Sequence, residues 1–266
     1  MQNRYAGDVG DFGKFYLLRT LLGEKDRLGV VWYAYPDESH NNDGLHVGYL
    51  CNDGYQKLDE YLIKGLRAAT EDLCERSIEK LEKQKLLPES TVYVSEVIPK
   101  KNREEWMDKA LDKVSRCTLV FLDPDNGLEV KSISKNSSKS GKYVFYDEVV
   151  SFMESSSIEA CIVYHHLGRN KSHKMQIQSR MKELKEKLEE KEITNLTIFA
   201  ATFKPFSPRS FFIISTEKKS QIIEDKLKTV FEEERRLHNE TKQKTKWDFD
   251  KMDSKGNFHI DFLNQT

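Results

Sequence analysis

The feature that most constrains this chain is a regular alternation of short β-rich runs with longer stretches of helical spacing. "LGVVWYAYP", "TVYVSEVI", "TLVFLD" and "ACIVYHH" are apolar almost without interruption, as expected of strands covered on both faces. Between and before them lie segments with apolar residues three and four apart: "FGKFYLLRTLLG", residues 55–85, "REEWMDKALDKV" and residues 147–154. The first predicts a helix over residues 10–22 with Gly23 as its C-cap, and strand one is expected over residues 30–35. Such alternation predicts right-handed crossovers and a mostly parallel sheet between two helical layers. After the amphipathic "MQIQSRMKELKEKLEEKE", the run "NLTIFAATF" is joined by "KPFSPR" to "SFFIIST". That link is too short for a helical crossover, so these two strands should form a late antiparallel hairpin. A charged helix over 220–238 closes a domain spanning 1–238. Residues 239–266 read as a tail or small hairpin, turning at 254–257, packed on that domain. The biased segment 132–142, "SISKNSSKSGK", reads as a mobile loop.

At 266 residues the chain is long enough for a substantial core. Its formal net charge of −1 argues against binding nucleic acid by bulk charge alone. No run reaches membrane-spanning length and no secretory signal opens the chain, so a cytoplasmic location is expected. Cys51, Cys74, Cys117 and Cys161 lack metal or redox spacing and are expected to be small buried hydrophobes.

In an open parallel sheet, ligands bind where the strands end. Strand one runs out into Asp37, Glu38, His40, Asp43 and His46; "DPDNGLEVK" brings Asp123, Asp125, Asn126 and Glu129; "YHHLGR" brings His165, His166 and Arg169. Carboxylates gathered in one place repel one another unless a cation neutralises them or one keeps its proton. Mg²⁺ or Mn²⁺ on Asp123, Asp125, Glu129 and Asp37 or Glu38 is the expected arrangement. His165 or His166 would then move a proton, while Asn126, Lys131 and Arg169 would hold a phosphate-bearing substrate. The same Asp-Pro-Asp-Asn-Gly run also makes a good turn with no chemistry at all.

The opening "NRYAGDVGDFGKFYLLR" leaves two alternatives. Asp8 or Asp11 caps the first helix, or its amides face an anion with Asp11, Lys14 and Arg19 turned toward substrate. Its glycines follow no strand, so they are not a dinucleotide fingerprint. Trp32, Tyr33, Tyr35, Tyr49, Tyr146 and Tyr164 lie near these loops, mostly as core, with two or three available for stacking on bases.

The strand order and closing hairpin resemble the Rossmann-like fold of class I S-adenosylmethionine-dependent methyltransferases. "FLDPDNGLE" sits where the adenine-directed members carry Asp-Pro-Pro-aromatic, and Asp11 and Lys14 before "FYLLR" resemble the opening of the large-subunit ribosomal RNA adenine methyltransferase J family. The resemblance covers most of residues 1–216. It implies a Rossmann-like three-layer sandwich, S-adenosylmethionine as cofactor, Asp123 nearest the reacting amine and the Pro124 carbonyl as an acceptor. The sequence departs from that family where strand one ends in "PDESHNND" instead of a glycine-rich loop, and where Asp125 and Asn126 replace a proline and an aromatic. "GDxGDF" and "DPDNG" are also similar to segments of an uncharacterised bacterial family. Pro124–Asp125 with Glu129–Lys131 resembles a restriction-type nuclease site without its intervening strand. The leading expectation is a metal-dependent nuclease or phosphodiesterase acting on nucleic acid or nucleotide. The alternatives are nucleic-acid methyl transfer and a non-catalytic binding module.

Overall fold

In the computed structural model, which describes residues 1–38, 44–241 and 246–264, the chain opens with helix α1 (Val9–Leu21) and strand β1 (Leu28–Val31). Helices α2 (Asp53–Leu58), α3 (Glu60–Ala69) and α4 (Ile78–Lys83) then lead to β2 (Val92–Val94). Helix α5 (Arg103–Val114) precedes β3 (Leu119–Leu122) and a short parallel pair, β4 (Gly127–Leu128) and β5 (Tyr143–Val144). Helix α6 (Tyr146–Glu154), β6 (Ala160–His166), α7 (His173–Glu189), β7 (Leu196–Phe203) and β8 (Arg209–Thr216) follow. Helix α8 (Glu217–Thr241), β9 (Trp247–Met252) and β10 (Phe258–His259) end the described chain.

The main sheet has the order β10-β9-β7-β8-β6-β3-β1-β2. Pairings β1–β2, β1–β3 and β3–β6 are parallel; β8 and β9 alone run against the rest. All six strands expected from the sequence belong to this sheet, and "NLTIFAATF" and "SFFIIST" are adjacent and antiparallel. Alternating side chains feed two cores, as the period of a strand requires. Leu28, Val30, Leu119, Phe121, Ala160 and Ile162 pack with α1, α3 and α8. Val31, Val120, Leu122, Cys161 and Val163 pack with α5, α6 and α7. The result is a three-layer α/β sandwich.

Several boundaries differ from expectation for local reasons. The helical pattern over 55–85 is broken twice, because the Asp59 side chain caps α3 by accepting from Leu62 N at 2.8 Å and Ser77 caps α4 through Lys80 N at 3.1 Å. Helix α1 ends in an extended Leu22, so Gly23 is not its C-cap in the left-handed sense. Strand one stops at Val31: Tyr33 takes φ 46°, and pairing resumes only as an isolated Ala34–Val97 bridge. The C-terminal tail does turn back as a hairpin, with Asp253 accepting from Lys255 N and Asn257 N, but β9 is hydrogen-bonded to β7 and so extends the main sheet. Segment 132–142 ends in a buried lysine, Lys142, ion-paired with Glu38. Cys117 and Cys161 are buried as expected, whereas Cys51 and Cys74 are exposed. Among the described residues, no helix is long and apolar enough to cross a membrane.

Candidate active site

A cleft of about 330 Å³ opens at the carboxyl ends of β3 and β6, beside the start of α1 and of β8. Helix α1 reaches it because the opening folds back over the sheet. Asp8 is the N-cap, its Oδ1 accepting from Gly10 N at 2.7 Å, while Asp11 accepts from the amide of Gly7, whose φ of 78° suits only glycine well. Asp11 and Lys14, three apart, share one face of the helix. Lys14 Nζ donates to Asp11 Oδ1 and to Asp123 Oδ2, each at 2.6 Å, and lies 5.1 Å from the Trp32 ring. The capping half of the expected alternative is met, since the acids take the amides of Gly7 and Gly10, and Lys14 stands in the cleft wall.

The electrostatics follow from this burial. Burial alone would depress the Lys14 ammonium, but Asp11 and Asp123 outweigh it and hold its pKa above the usual lysine value. Burial pushes the Asp123 carboxyl up, against the pull of Lys14 and the Met1 amino group. Burial likewise raises Asp8, against the Arg209 guanidinium. Tyr164, which lines the cleft, is pushed up to about 12 by burial and stays protonated. The Met1 amino group donates to the carbonyls of Trp32 (3.1 Å), Tyr33 (2.9 Å) and Asp123 (3.0 Å). It also lies 3.1 Å from Asp125 Oδ1, as an ion pair without hydrogen-bond geometry. The Gln2 side chain donates to the other Asp125 oxygen.

Of the expected metal ligands, Asp123 and Asp125 share the cleft, and Glu129, Asp37 and Glu38 do not join them. Glu129 caps α6, its Oε1 accepting from Tyr146 N at 2.8 Å, because β4 carries it away from Asp123. Asp37 accepts from Arg4 N at 3.2 Å, and Glu38 pairs with Lys142; neither lines the cleft. Among the described residues, no group of three or more His, Cys, Asp or Glu converges as a metal site. His40 and Asp43 lie outside the described residues.

Of the paired histidines, alternation along β6 separates the two. His166 lines the cleft with Tyr164, while His165 points into the opposite core against Phe212 and accepts from Leu128 N at 3.1 Å through Nδ1. Burial lowers its pKa to about 3, so it is a neutral acceptor that fixes β4 and not a proton carrier. Arg169 and Asn126 line the cleft as expected. Arg19 does not: it pairs with Asp59 at 2.7 Å and bonds to Leu86 O at 2.9 Å, tying α1 to α3. Lys131 is exposed and outside the cleft.

Sequence reasoning missed Arg209 and Ser207, which line the cleft, by reading "KPFSPR" only as a link. The signal was present, since a strand must begin where its antiparallel neighbour ends; His166 at the end of β6 and Arg209 at the start of β8 are partners in register. Arg209 is buried, donating to Ser207 O from Nε (2.9 Å) and Nη2 (2.7 Å), and it fills the space a side chain at Gly10 would need. No protein-family model and no curated protein matches the chain.

Proposed function

We propose that the chain is an enzyme that transfers a methyl group from S-adenosylmethionine to a nucleic acid, with the strand-end cleft as its active site. The observation that carries this reading is the strand order β2-β1-β3-β6-β8-β7, with β8 entering antiparallel between β6 and β7. That order supports a Rossmann-like, methyltransferase-like topology, as the resemblance implies. A fold alone assigns no reaction, so the site must supply the rest. The carbonyls of Trp32, Tyr33 and Asp123, with the Asp125 carboxylate, form an acceptor set for an ammonium group, here that of Met1. The amino group of the methyl donor requires acceptors of the same kind; Met1 fills the three carbonyls, which leaves Asp125 Oδ1, buried in the cleft wall with no hydrogen-bond partner, as the acceptor that would meet it. When bound, that cofactor would supply an electrophilic methyl group.

The chain's own groups would position the acceptor. Asp123, with its pKa raised by burial and one oxygen held by Lys14, is a better hydrogen-bond and proton acceptor than an ordinary carboxylate. Pro124 lies beside it in the cleft wall, and Arg169 and His166 at the rim can meet phosphate oxygens. Hydrolysis with Mg²⁺ or Mn²⁺ is the weaker reading. Asp8, Asp11, Asp123 and Asp125 do line one cleft, but Lys14 sits between two of them where a cation would neutralise charge. The donor set does not fit a resident divalent ion.

Thermal unfolding with each ligand tests this, because a ligand that binds only the folded state stabilises it by about 2.7 kcal/mol at one hundred times its Kd. S-adenosylmethionine should raise the midpoint and Mg²⁺ or Mn²⁺ alone should not. A rise with the metals and none with S-adenosylmethionine would reverse the two readings.

A further inference from the structure

Methyl transfer to a base requires that the base be held out of its stack, and Asn126 stands where the adenine-directed motif has its aromatic. A different pair of rings stands beside this cleft: His46 lines it, and Phe206, outside the lining, stacks on His46. Phe206, in the turn between β7 and β8, is 63% exposed and takes φ 60°. A bulky aromatic adopts that backbone only at a cost, and a solvent-facing turn would normally hold glycine or asparagine there. Its ring lies 4.3 Å from that of His46, with 22° between their planes. His46 is itself exposed and lines the cleft with Ser207, Arg209 and Asp123, and its carbonyl accepts from Val9 N at 3.1 Å, fixing this loop to the start of α1.

We infer that His46 and Phe206 form a stacking shelf for an unpaired nucleobase at the mouth of the cleft, an inference that rests on the nucleic-acid reading above and names the part of the substrate recognised. An exposed aromatic pair presents a π-face that any base can cover, and the basic rim of Arg169 and His166 would follow the attached phosphate. The base can come from a free nucleotide or from a single strand.

Fluorescence quenching of 2-aminopurine tests the shelf and separates the two sources. The probes are 2-aminopurine riboside monophosphate and short single-stranded RNA and DNA oligonucleotides carrying one 2-aminopurine. Wild type should bind and quench at least one probe; binding of the monophosphate would assign a nucleotide source, and binding of oligonucleotides alone a strand. Phe206→Ala should weaken binding about tenfold or more, and Phe206→Trp should retain it. Phe206→Gly should lose affinity like alanine while its thermal midpoint is unchanged or higher, since glycine accepts the positive φ freely. Equal affinity in wild type and both truncated variants would overturn the shelf and leave the nucleic-acid reading standing. A fall in midpoint for Phe206→Gly with affinity retained would show a packing residue and also overturn it. No binding of any probe to wild type would remove the nucleic-acid reading and the shelf together.

Discussion

Consecutive residues at the end of strand one, Trp32 and Tyr33, face opposite layers of the sandwich, and each lies beside a buried cation. On one face Lys14 sits 5.1 Å from Trp32, between Asp11 and Asp123. On the other Arg103 sits 5.7 Å from Tyr33 and is tied to Glu148 through Nε at 2.5 Å and Nη2 at 2.9 Å. Glu148 also accepts from Tyr33 OH at 3.1 Å and Phe145 N at 3.0 Å. The Arg103 pair is closed: planar donors meet a planar acceptor, the remaining lone pairs are used, and it fastens α5 to α6. The Lys14 cluster borders a cleft, and burial holds the Asp123 carboxyl above its usual range. Buried charge therefore marks a structural tie in one place and a candidate reactive site in the other, and the difference is access and incomplete compensation, not the number of charges.

The largest effects should separate these two clusters. Arg103→Ala leaves Glu148 buried without its cation and should destabilise the fold by about 3–5 kcal/mol in denaturant melts, with S-adenosylmethionine affinity of the folded fraction unchanged. Lys14→Met should cost less, about 1–3 kcal/mol, because Asp123, whose carboxyl burial already pushes up, can take up a proton, yet it should abolish cofactor-dependent activity. Similar stability losses and similar activity in the two variants would erase the distinction.

The fold was largely legible because its strands are buried on both faces and their links differ in length. "TLVFLD" and "ACIVYHH" could hardly lie elsewhere, and "KPFSPR" could join only antiparallel neighbours. Asp11, Lys14 and Asp123 were likewise correctly gathered, since strand ends and a folded-back opening meet on one side. Glu129 and His165 were not legible, for a common reason. A two-residue strand, β4, begins at Gly127, whose φ is 107°, and turns Glu129 toward α6 while His165 packs beneath it. Alternation within a strand could have split His165 from His166, but which of the two faces the cleft depends on a register that only the assembled sheet defines.

A smaller effect tests the assignment of His165 as structure. Its pKa is lowered to about 3 in the fold, from 6.5. The unfolded chain thus takes up a proton first as pH falls, and the stability His165 contributes above 6.5 is lost between 6.5 and about 3. Over the first pH unit below 6.5 the loss should be about 1 kcal/mol. Asp8 and Asp123, raised by burial, act in the opposite sense and gain as pH falls. The contribution is therefore read as the difference between wild type and His165→Asn in denaturant melts, where a parallel pH dependence would place His165 in contact with solvent. Smallest of all, Glu105→Gln breaks an exposed pair with Lys109 on α5 and should leave the denaturant midpoint unchanged, which sets the baseline for a charge that is neither buried nor in the cleft.

The most direct test of the central claim is transfer of tritiated methyl groups from S-adenosylmethionine to RNA and DNA by wild type and Asp123→Asn, measured with the thermal midpoints of both. Asparagine keeps the size of the side chain but removes the charge that faces Lys14 and the cleft. The account predicts incorporation by wild type, a loss of about a hundredfold or more in the variant as expected for a positioned proton acceptor, and folded protein in both cases. Equal incorporation by the two proteins, or none by wild type with either nucleic acid, would contradict it.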